Sequence, residues 1–457
     1  MSTTPSVSGI AIARDLVTKG LSVEGPLVSG KPGEDIVRFR IGRRVGVALR
    51  HPDYVDHVLH EGTDAYHKSI EYELLRSVVG LSLFTDEDES WRRHRMLLNP
   101  VLAKRHVNGL LDLMLDPIEE LVDGLEPGPI EMSGAMTELT LDVVGSALFG
   151  TRLGRFAVEI KPAVTGGLHG AEVATVLLML FAPPVWSIRL AAGFVHHVPQ
   201  VVPQLRRLQW VMKTVDRSVS EIIEERKAHP SDSPDLLGLL LAQPELTPKR
   251  VRDEATTFML AGHETTANAL AWTWYLLATN EDARERMLAE VDEVLGGRRP
   301  TVADLPQLRW TTACFEEGMR MYPPAWVIPR EAVRDDVIDG HRIPKGATVM
   351  IPIHAIHHDA RFWPDPERFD PSRFLPENAK GRHRSAYLPF GGGRRVCIGT
   401  SFALMEGALI LAIMSQRFTY ELDHSHRVIP EATLTLRPRR GIKMIARPRQ
   451  VAQEVAA

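Results

Sequence analysis

The chain has two cysteines, Cys314 and Cys397, and only Cys397 sits where its sulfur could do chemistry. The run Phe390-Gly391-Gly392-Gly393-Arg394-Arg395-Val396-Cys397-Ile398-Gly399 packs glycines ahead of it and leads into a predicted helix from Thr400 to Gln416. Backbone donors and the dipole at a helix start lower a thiol's pKa, and glycines let the backbone approach a flat ligand closely. The competing reading is a glycine turn with an incidental buried cysteine, the ordinary fate of a lone cysteine. Cys314 has no glycine loop around it and reads as a core residue.

A second constellation is Ala261-Gly262-His263-Glu264-Thr265-Thr266. Ala261 and Thr265 are four apart, and Gly262 and Thr265 three apart, so small residues and a hydroxyl share one helix face. Glu264 lies off that face but adjacent, which suits an acid that passes protons inward from solvent. The plainer alternative is a kink at Gly262 with a satisfied acid. His263 is expected to pack or hydrogen-bond rather than to bind a metal. Glu317 and Arg320, three apart, share a face of another helix.

The elements that must carry these residues are mostly helical. Residues 36–50 alternate as two short paired strands around Ile41-Gly42, and HPDYVDHVLHEG reads as a helix stopped by glycine. Helical periodicity covers Glu89 to about Leu121 and about Gln204 to Lys227, with Ser231-Asp232-Ser233-Pro234 as a loop. Arg250 to Asn280 contains no proline and predicts one helix of roughly 45 Å. Trp310 to Tyr322 predicts another, stopped by Pro323-Pro324, followed by strand-like VIDGHRIPKGATVMIPI. From Ala360 to Pro376, prolines and aspartates exclude regular structure, while Phe362, Trp363, Phe369 and Phe374 suggest a segment packed onto the body. The tail ATLTLRPRRGIKMIARPR is strand-like around Gly441.

The cysteine run resembles the cytochrome P-450 family, whose haem-binding pattern is Phe-x-x-Gly-x-Arg-x-Cys-x-Gly. Phe390, Gly393, Arg395, Cys397 and Gly399 stand at every fixed position. The resemblance extends from about Ile36 to Ile445 in the family's motif order. It implies a mainly α fold with small β-sheets, forming a single haem domain over residues 15–448 between short tails, 1–14 and 449–457. It also implies haem b, with Cys397 as the iron ligand; axial thiolate ligation in this family favours O–O cleavage. Ala261 and Gly262 would leave room for oxygen, and Glu264 and Thr265 would deliver protons. Trp91 and Arg95 resemble the family's Trp-x-x-x-Arg pair, and they with Arg330 and Arg395 would face the haem propionates, which the guanidinium fork suits. Asp88 stands where the family often has glycine. Glu317 and Arg320 resemble its Glu-x-x-Arg pair, with Arg368 completing a buried charge triad.

The resemblance implies a monooxygenase that inserts one atom of O2 into a small hydrophobic substrate of lipid, terpenoid or steroid-like kind. A peroxide-driven enzyme of the same fold and a non-catalytic haem sensor or carrier are the alternatives. The pocket would draw on Ser69 to Thr85, Thr175 to Trp186, Met259, Ala261, Ala325 to Ile328 and Thr433; a largely apolar lining suits such ligands. No flavin or dinucleotide domain and no iron–sulfur cysteine cluster occurs in these 457 residues, so a ferredoxin or flavodoxin with its reductase is expected. Two acid-free basic stretches could dock it: Arg92, Arg93, Lys104 and Arg105, and Lys380, Arg382, Arg384 and Arg394. The net charge of -4 gives no global field for nucleic acid. With 44% hydrophobic and 25% charged residues, a globular body is expected. Neither a signal peptide nor a membrane anchor is expected, and two cysteines suit a reducing cytoplasm.

Overall fold

The computed structural model describes residues 6–7, 25, 33–41, 44–153, 203–230 and 235–449. Its main helices are α1 (Asp88–Leu98), α2 (Leu111–Asp123), α3 (Met132–Val144), α4 (Pro203–Ala228), α5 (Pro248–Thr279), α6 (Glu281–Leu295), α7 (Arg309–Met321) and α8 (Thr400–Arg417). The proline-free stretch does form one helix: α5 spans 32 residues, roughly 48 Å at ~1.5 Å per residue. Pro248 opens it where a missing N–H costs nothing, and the Thr247 hydroxyl accepts from the Arg250 N–H at 3.2 Å. Because α5 packs against α3, α4, α7 and α8, most of its side chains are buried and it forms the axis of the core.

The helical stretch from Glu89 to Leu121 divides into α1, Lys104–Asn108 and α2. Pro100 follows the last turn of α1 and cannot continue its hydrogen bonding. Strands β1 (Ser6–Val7), β2 (Ile36–Ile41), β3 (Arg44–Leu49), β4 (Tyr66–Lys68), β5 (Ile328–Ala332) and β6 (Thr348–Ile351) form one sheet in the order β1-β2-β3-β6-β5-β4. Thus Ser6 and Val7, within the expected N-terminal tail, pair with Arg38 and Phe39. The expected hairpin pairs Ile36 with Leu49 through Ile41 with Arg44. The tail strands Pro430–Ala432 and Leu436–Pro438 pair with each other, and Lys443–Pro448 joins Phe418–Leu422 and Gly128–Glu131. The apolar stretch Thr175 to Trp186 and the loop Ser231 to Pro234 lie outside the described residues.

The proline-rich segment has only a short 3-10 turn, Pro371–Phe374, and its aromatics anchor it as expected. Trp363 is buried and donates its indole N–H to the Ala386 carbonyl at 3.2 Å, while the Arg382 guanidinium lies over Trp363 and Phe374. Beneath it, Arg320 and Glu317 are fully buried and joined twice, at 2.7 and 2.9 Å. The second arginine on Glu317 is Arg373, at 3.4 Å, rather than the expected Arg368. Arg368 is exposed and enters only through its carbonyl, which accepts from Arg320 at 3.3 Å. The next turn of chain returns Arg373 to the acid, which local spacing did not reveal.

His357 ties the same network to the cysteine loop. Its Nδ1 meets the Arg320 carbonyl at 3.1 Å and its Nε2 accepts from the Leu388 N–H at 2.8 Å, so the ring is held as one neutral tautomer. Burial, with Arg320 beside it, pushes this imidazole well below its ordinary range. Glu317→Gln, which strips two arginines of their acid, is expected to cost about 3–5 kcal/mol. Arg368→Ala is expected to stay within about 0.5 kcal/mol of the parent. Urea unfolding of both variants checks the pair.

Candidate functional site

Two positions in the cysteine loop demand glycine. Gly391 and Gly393 have φ of +70° and +66°, and a side chain on Gly393 would drive into the Leu59 carbonyl oxygen. The Cys397 N–H donates to the Phe390 carbonyl at 2.9 Å and closes the loop, while the Phe390 ring packs against the main core. Gly399 has an ordinary backbone and precedes α8.

The Cys397 side chain is accessible although it lies deep in the protein. Depth pushes its thiol up; the Gly399 N–H, the Arg95 charge and the Thr400 hydroxyl act against that and favour the thiolate. The Thr400 hydroxyl also lies 2.9 Å from the Cys397 carbonyl, so its one proton is shared between that oxygen and the sulfur. Arg95, expected at a propionate, donates to the Val396 carbonyl at 2.9 Å and so stands over the cysteine loop. Cys314 is fully buried, and its thiol is pushed well up by that burial, as suits a core residue.

On α5, Ala261 is exposed although it lies midway along the axis of the core, and Gly262, Glu264 and Thr265 are half-buried. Gly262 lets α3 approach closely: a Cβ there would meet a Val144 methyl at 3.0 Å. Thr265 donates to the Ala261 carbonyl at 2.8 Å, Thr266 to that of Gly262 at 3.1 Å, and Thr140 of α3 to that of His263 at 3.0 Å. Three successive carbonyls thus take side-chain hydroxyls, yet the helix continues unbroken. Glu264 accepts from the Thr435 hydroxyl at 2.9 Å, and Thr435 from the Asn268 amide at 3.2 Å, which fixes the acid against the tail hairpin. His263 is buried with its Nδ1 at 2.8 Å from the Met259 carbonyl, a packing role as expected.

Near the start of α1, cations gather beside the acids Asp86, Glu87 and Asp88. Arg395 lies 4.3 Å over the Trp91 ring, donates to the Asp86 carbonyl at 3.1 Å and pairs with Glu87. Arg330 is buried and stands across the β4–β5 ladder from Lys68, a like-charge pair that strands disfavour. Lys68 donates to the Phe84 carbonyl; burial, then Arg395 and Arg330, push its ammonium well below its usual range. Trp91, Arg330 and Arg395 line a cleft of about 280 Å³. Lys68 is the residue that sequence reasoning missed, since nothing around it in the chain marks it. Asp88 has φ +54°, which explains why glycine suits this position.

An open thiol with thiolate-favouring donors, small residues exposed on the core helix, and a cluster of cations needing anions together fit haem with its two carboxylates. The family model described as Cytochrome P450 matches residues 28–446. The chain is 50% identical to cytochrome P450 132 of Mycobacterium tuberculosis, over 96% of this chain and 95% of that protein. It is 31% identical to cyclooctat-9-en-7-ol 5-monooxygenase of Streptomyces melanosporofaciens, over 88% of this chain and 84% of that one. The crystal structure of the cytochrome P450DA heme domain matches with TM-score 0.77 and 27% identity, covering 92% of this chain and 91% of that one. The chain belongs to the cytochrome P450 family and has its fold. It is a cytochrome P450 monooxygenase with haem b as cofactor.

If Lys68 answers a haem carboxylate, Lys68→Met removes one charge-assisted bond, worth about 1.5–3 kcal/mol. The expected outcome is haem loss to an apo-acceptor protein faster by about tenfold or more, with the thiolate spectrum intact.

Proposed function

We propose that this protein uses O2 to insert one oxygen atom into a small hydrophobic substrate of lipid, terpenoid or steroid-like kind, with residues 15–448 as one haem domain. In this reading Cys397 is the iron ligand, held by Phe390 and Gly399 at either end of its loop and charge-balanced by Arg95. Trp91, Arg95, Arg330 and Arg395 hold the haem carboxylates. When bound, haem supplies oxygen activation; Ala261 and Gly262 leave the space for it, and the chain's part is to deliver protons. The observation that carries the reading is the pairing of Thr265, whose hydroxyl is held on the Ala261 carbonyl, with Glu264, whose carboxylate is held by Thr435. Thr265 keeps lone pairs free to order water, and Glu264 can exchange protons with solvent once Thr435 releases it. Cyclooctat-9-en-7-ol 5-monooxygenase is, by name, an oxygenase of an unsaturated cyclic alcohol, which supports the apolar substrate class.

Among the described residues no helix is long and apolar enough to cross a membrane. We place the protein in the cytoplasm, with a ferredoxin or flavodoxin and its reductase supplying electrons. Both basic stretches reach the cysteine side: Arg92 of α1 and Arg394 of the cysteine loop meet at Asp64, at 3.5 and 3.1 Å. Several of their cations are spent internally, Arg384 on Asp56 and Arg382 on aromatic faces. Arg93, Lys104, Arg105 and Lys380 are exposed and pair with no acid among the described residues, so they carry the docking charge.

Thr265→Ala is expected to bind haem and substrate normally and to divert most electrons to peroxide; measuring peroxide against NADPH-derived electrons and product checks it. Unchanged coupling would remove the proton-delivery role. Arg93→Glu is expected to slow ferredoxin-supported reduction with haem content and substrate affinity retained. Because exposed charges are screened over about 8 Å at physiological ionic strength, added salt should slow the parent and matter less to the variant. Stopped-flow reduction across a salt series reads both effects.

A further inference from the structure

Residues 80–86 form a strap between the helix Glu71–Val79 and α1, and its ties to α5 are ionic. Gly80 permits the approach: its φ is +72°, and a Cβ there would meet the Asp253 carboxyl at 2.2 Å. Amides of a buried strap need acceptors. Leu81 donates its N–H to Asp253 at 3.0 Å, and Leu83 donates to both oxygens of Glu254 at 3.0 Å. Arg250, one turn earlier on α5, donates to Glu254 at 2.9 Å and, across to the strap, to the Asp86 carboxylate at 2.9 Å. Ser90 adds its hydroxyl to the same Asp86 oxygen at 2.7 Å. All four charged residues of this group are buried.

Away from α5 the strap offers carbonyls to cations. The Phe84 carbonyl accepts from Lys68. The Asp86 carbonyl accepts from Arg395 at 3.1 Å and lies 3.4 Å from the Lys68 ammonium. Lys68 and Arg395 repel each other, so an oxygen placed between them sets how closely they stand. Where that oxygen stands follows from the Asp86 side chain, which is fixed by Arg250, and Arg250 in turn by Glu254.

We propose that Arg250 and Glu254 are positioning residues for haem: through the Asp86 carbonyl they fix the separation of Lys68 and Arg395, the cations that receive its carboxylates. The inference rests on the carboxylate-binding roles given above to Lys68 and Arg395. Arg250 and Glu254 stand eleven and seven residues ahead of Ala261 on α5, so their effect is separable from proton delivery. Glu254→Gln keeps the shape of the side chain and removes the charge that holds Arg250. Arg250→Lys keeps a charge but loses the guanidinium fork that spans Glu254 and Asp86.

The test uses the full haem-loaded protein. In Glu254→Gln, haem loss to an apo-acceptor protein should quicken by roughly threefold or more, the factor set by one misplaced hydrogen bond. The haem carboxylate bending band in resonance Raman spectra should shift, with the thiolate spectrum intact. In a Lys68→Met background the same substitution should quicken loss by a smaller factor, because part of its effect runs through Lys68. If Glu254→Gln keeps the parent's rate and band while Lys68→Met loses haem faster, the positioning role falls and the Lys68 role stands. Equal factors with and without Lys68, together with an unshifted band, mean a general loss of stability and also overturn the proposal. If Lys68→Met loses haem at the parent's rate, it is the Lys68 role that has failed, and the Glu254→Gln band decides alone: a shift upholds positioning through Arg395, and no shift overturns it. Should Glu254→Gln fail to hold haem, Arg250→Lys is read in the same way, an unshifted band again overturning the proposal.

Discussion

A sulfur that is to carry negative charge inside a protein must be compensated there, and much of this fold can be read as the means. Burial alone raises the Cys397 thiol, so the N–H of Gly399, the hydroxyl of Thr400 and the charge of Arg95 have to be brought to it. The first two come from the start of α8, where backbone donors are unpaired by construction. Arg95 comes from α1, some three hundred residues earlier, and is fixed by the Val396 carbonyl. The loop that permits this has no freedom to spare, since Gly393 lies hard against Leu59. The loop is held in turn from behind by His357, and through it by the Glu317–Arg320 pair. Buried ion pairs add little net stability, but losing one partner is severe, which suits them to fixing a loop in one place.

Local spacing explains what was legible in the sequence. The cysteine loop, the hydroxyl and acid on α5 and the Glu317–Arg320 pair all express themselves within ten residues, and each appears in the structure with its partners close by. The long helix was legible because the absence of proline is a positive signal. What escaped notice depends on contacts between distant segments: Lys68 opposite Arg330, Arg373 in place of Arg368, Arg95 on the cysteine loop, and Thr435 on Glu264. Asp88 illustrates the boundary. Its departure from glycine was visible, but its cost, a left-handed backbone, needed the fold.

The hydroxyls along α5 do more than occupy space. A threonine that donates to the carbonyl four residues back shares an acceptor with the helix ladder and loosens it locally. Thr265 and Thr266 do this in sequence, and Thr140 adds a third donor from α3. The turn from Ala261 to His263 is therefore held by side chains of α5 and α3 as well as by the helix ladder. The helix runs unbroken through this turn.

The cations near α1 crowd one another, and the neighbouring acids only partly offset this. Lys68 and Arg330 face each other across two strands, with Arg395 close by, and Asp86, Glu87 and Asp88 offset part of that charge. Burial and mutual repulsion push the Lys68 ammonium well below its usual range. A ligand carrying carboxylates would offset the remaining repulsion between these cations. By linkage such a ligand stabilises the loaded fold, through binding to the native chain and not to the unfolded one.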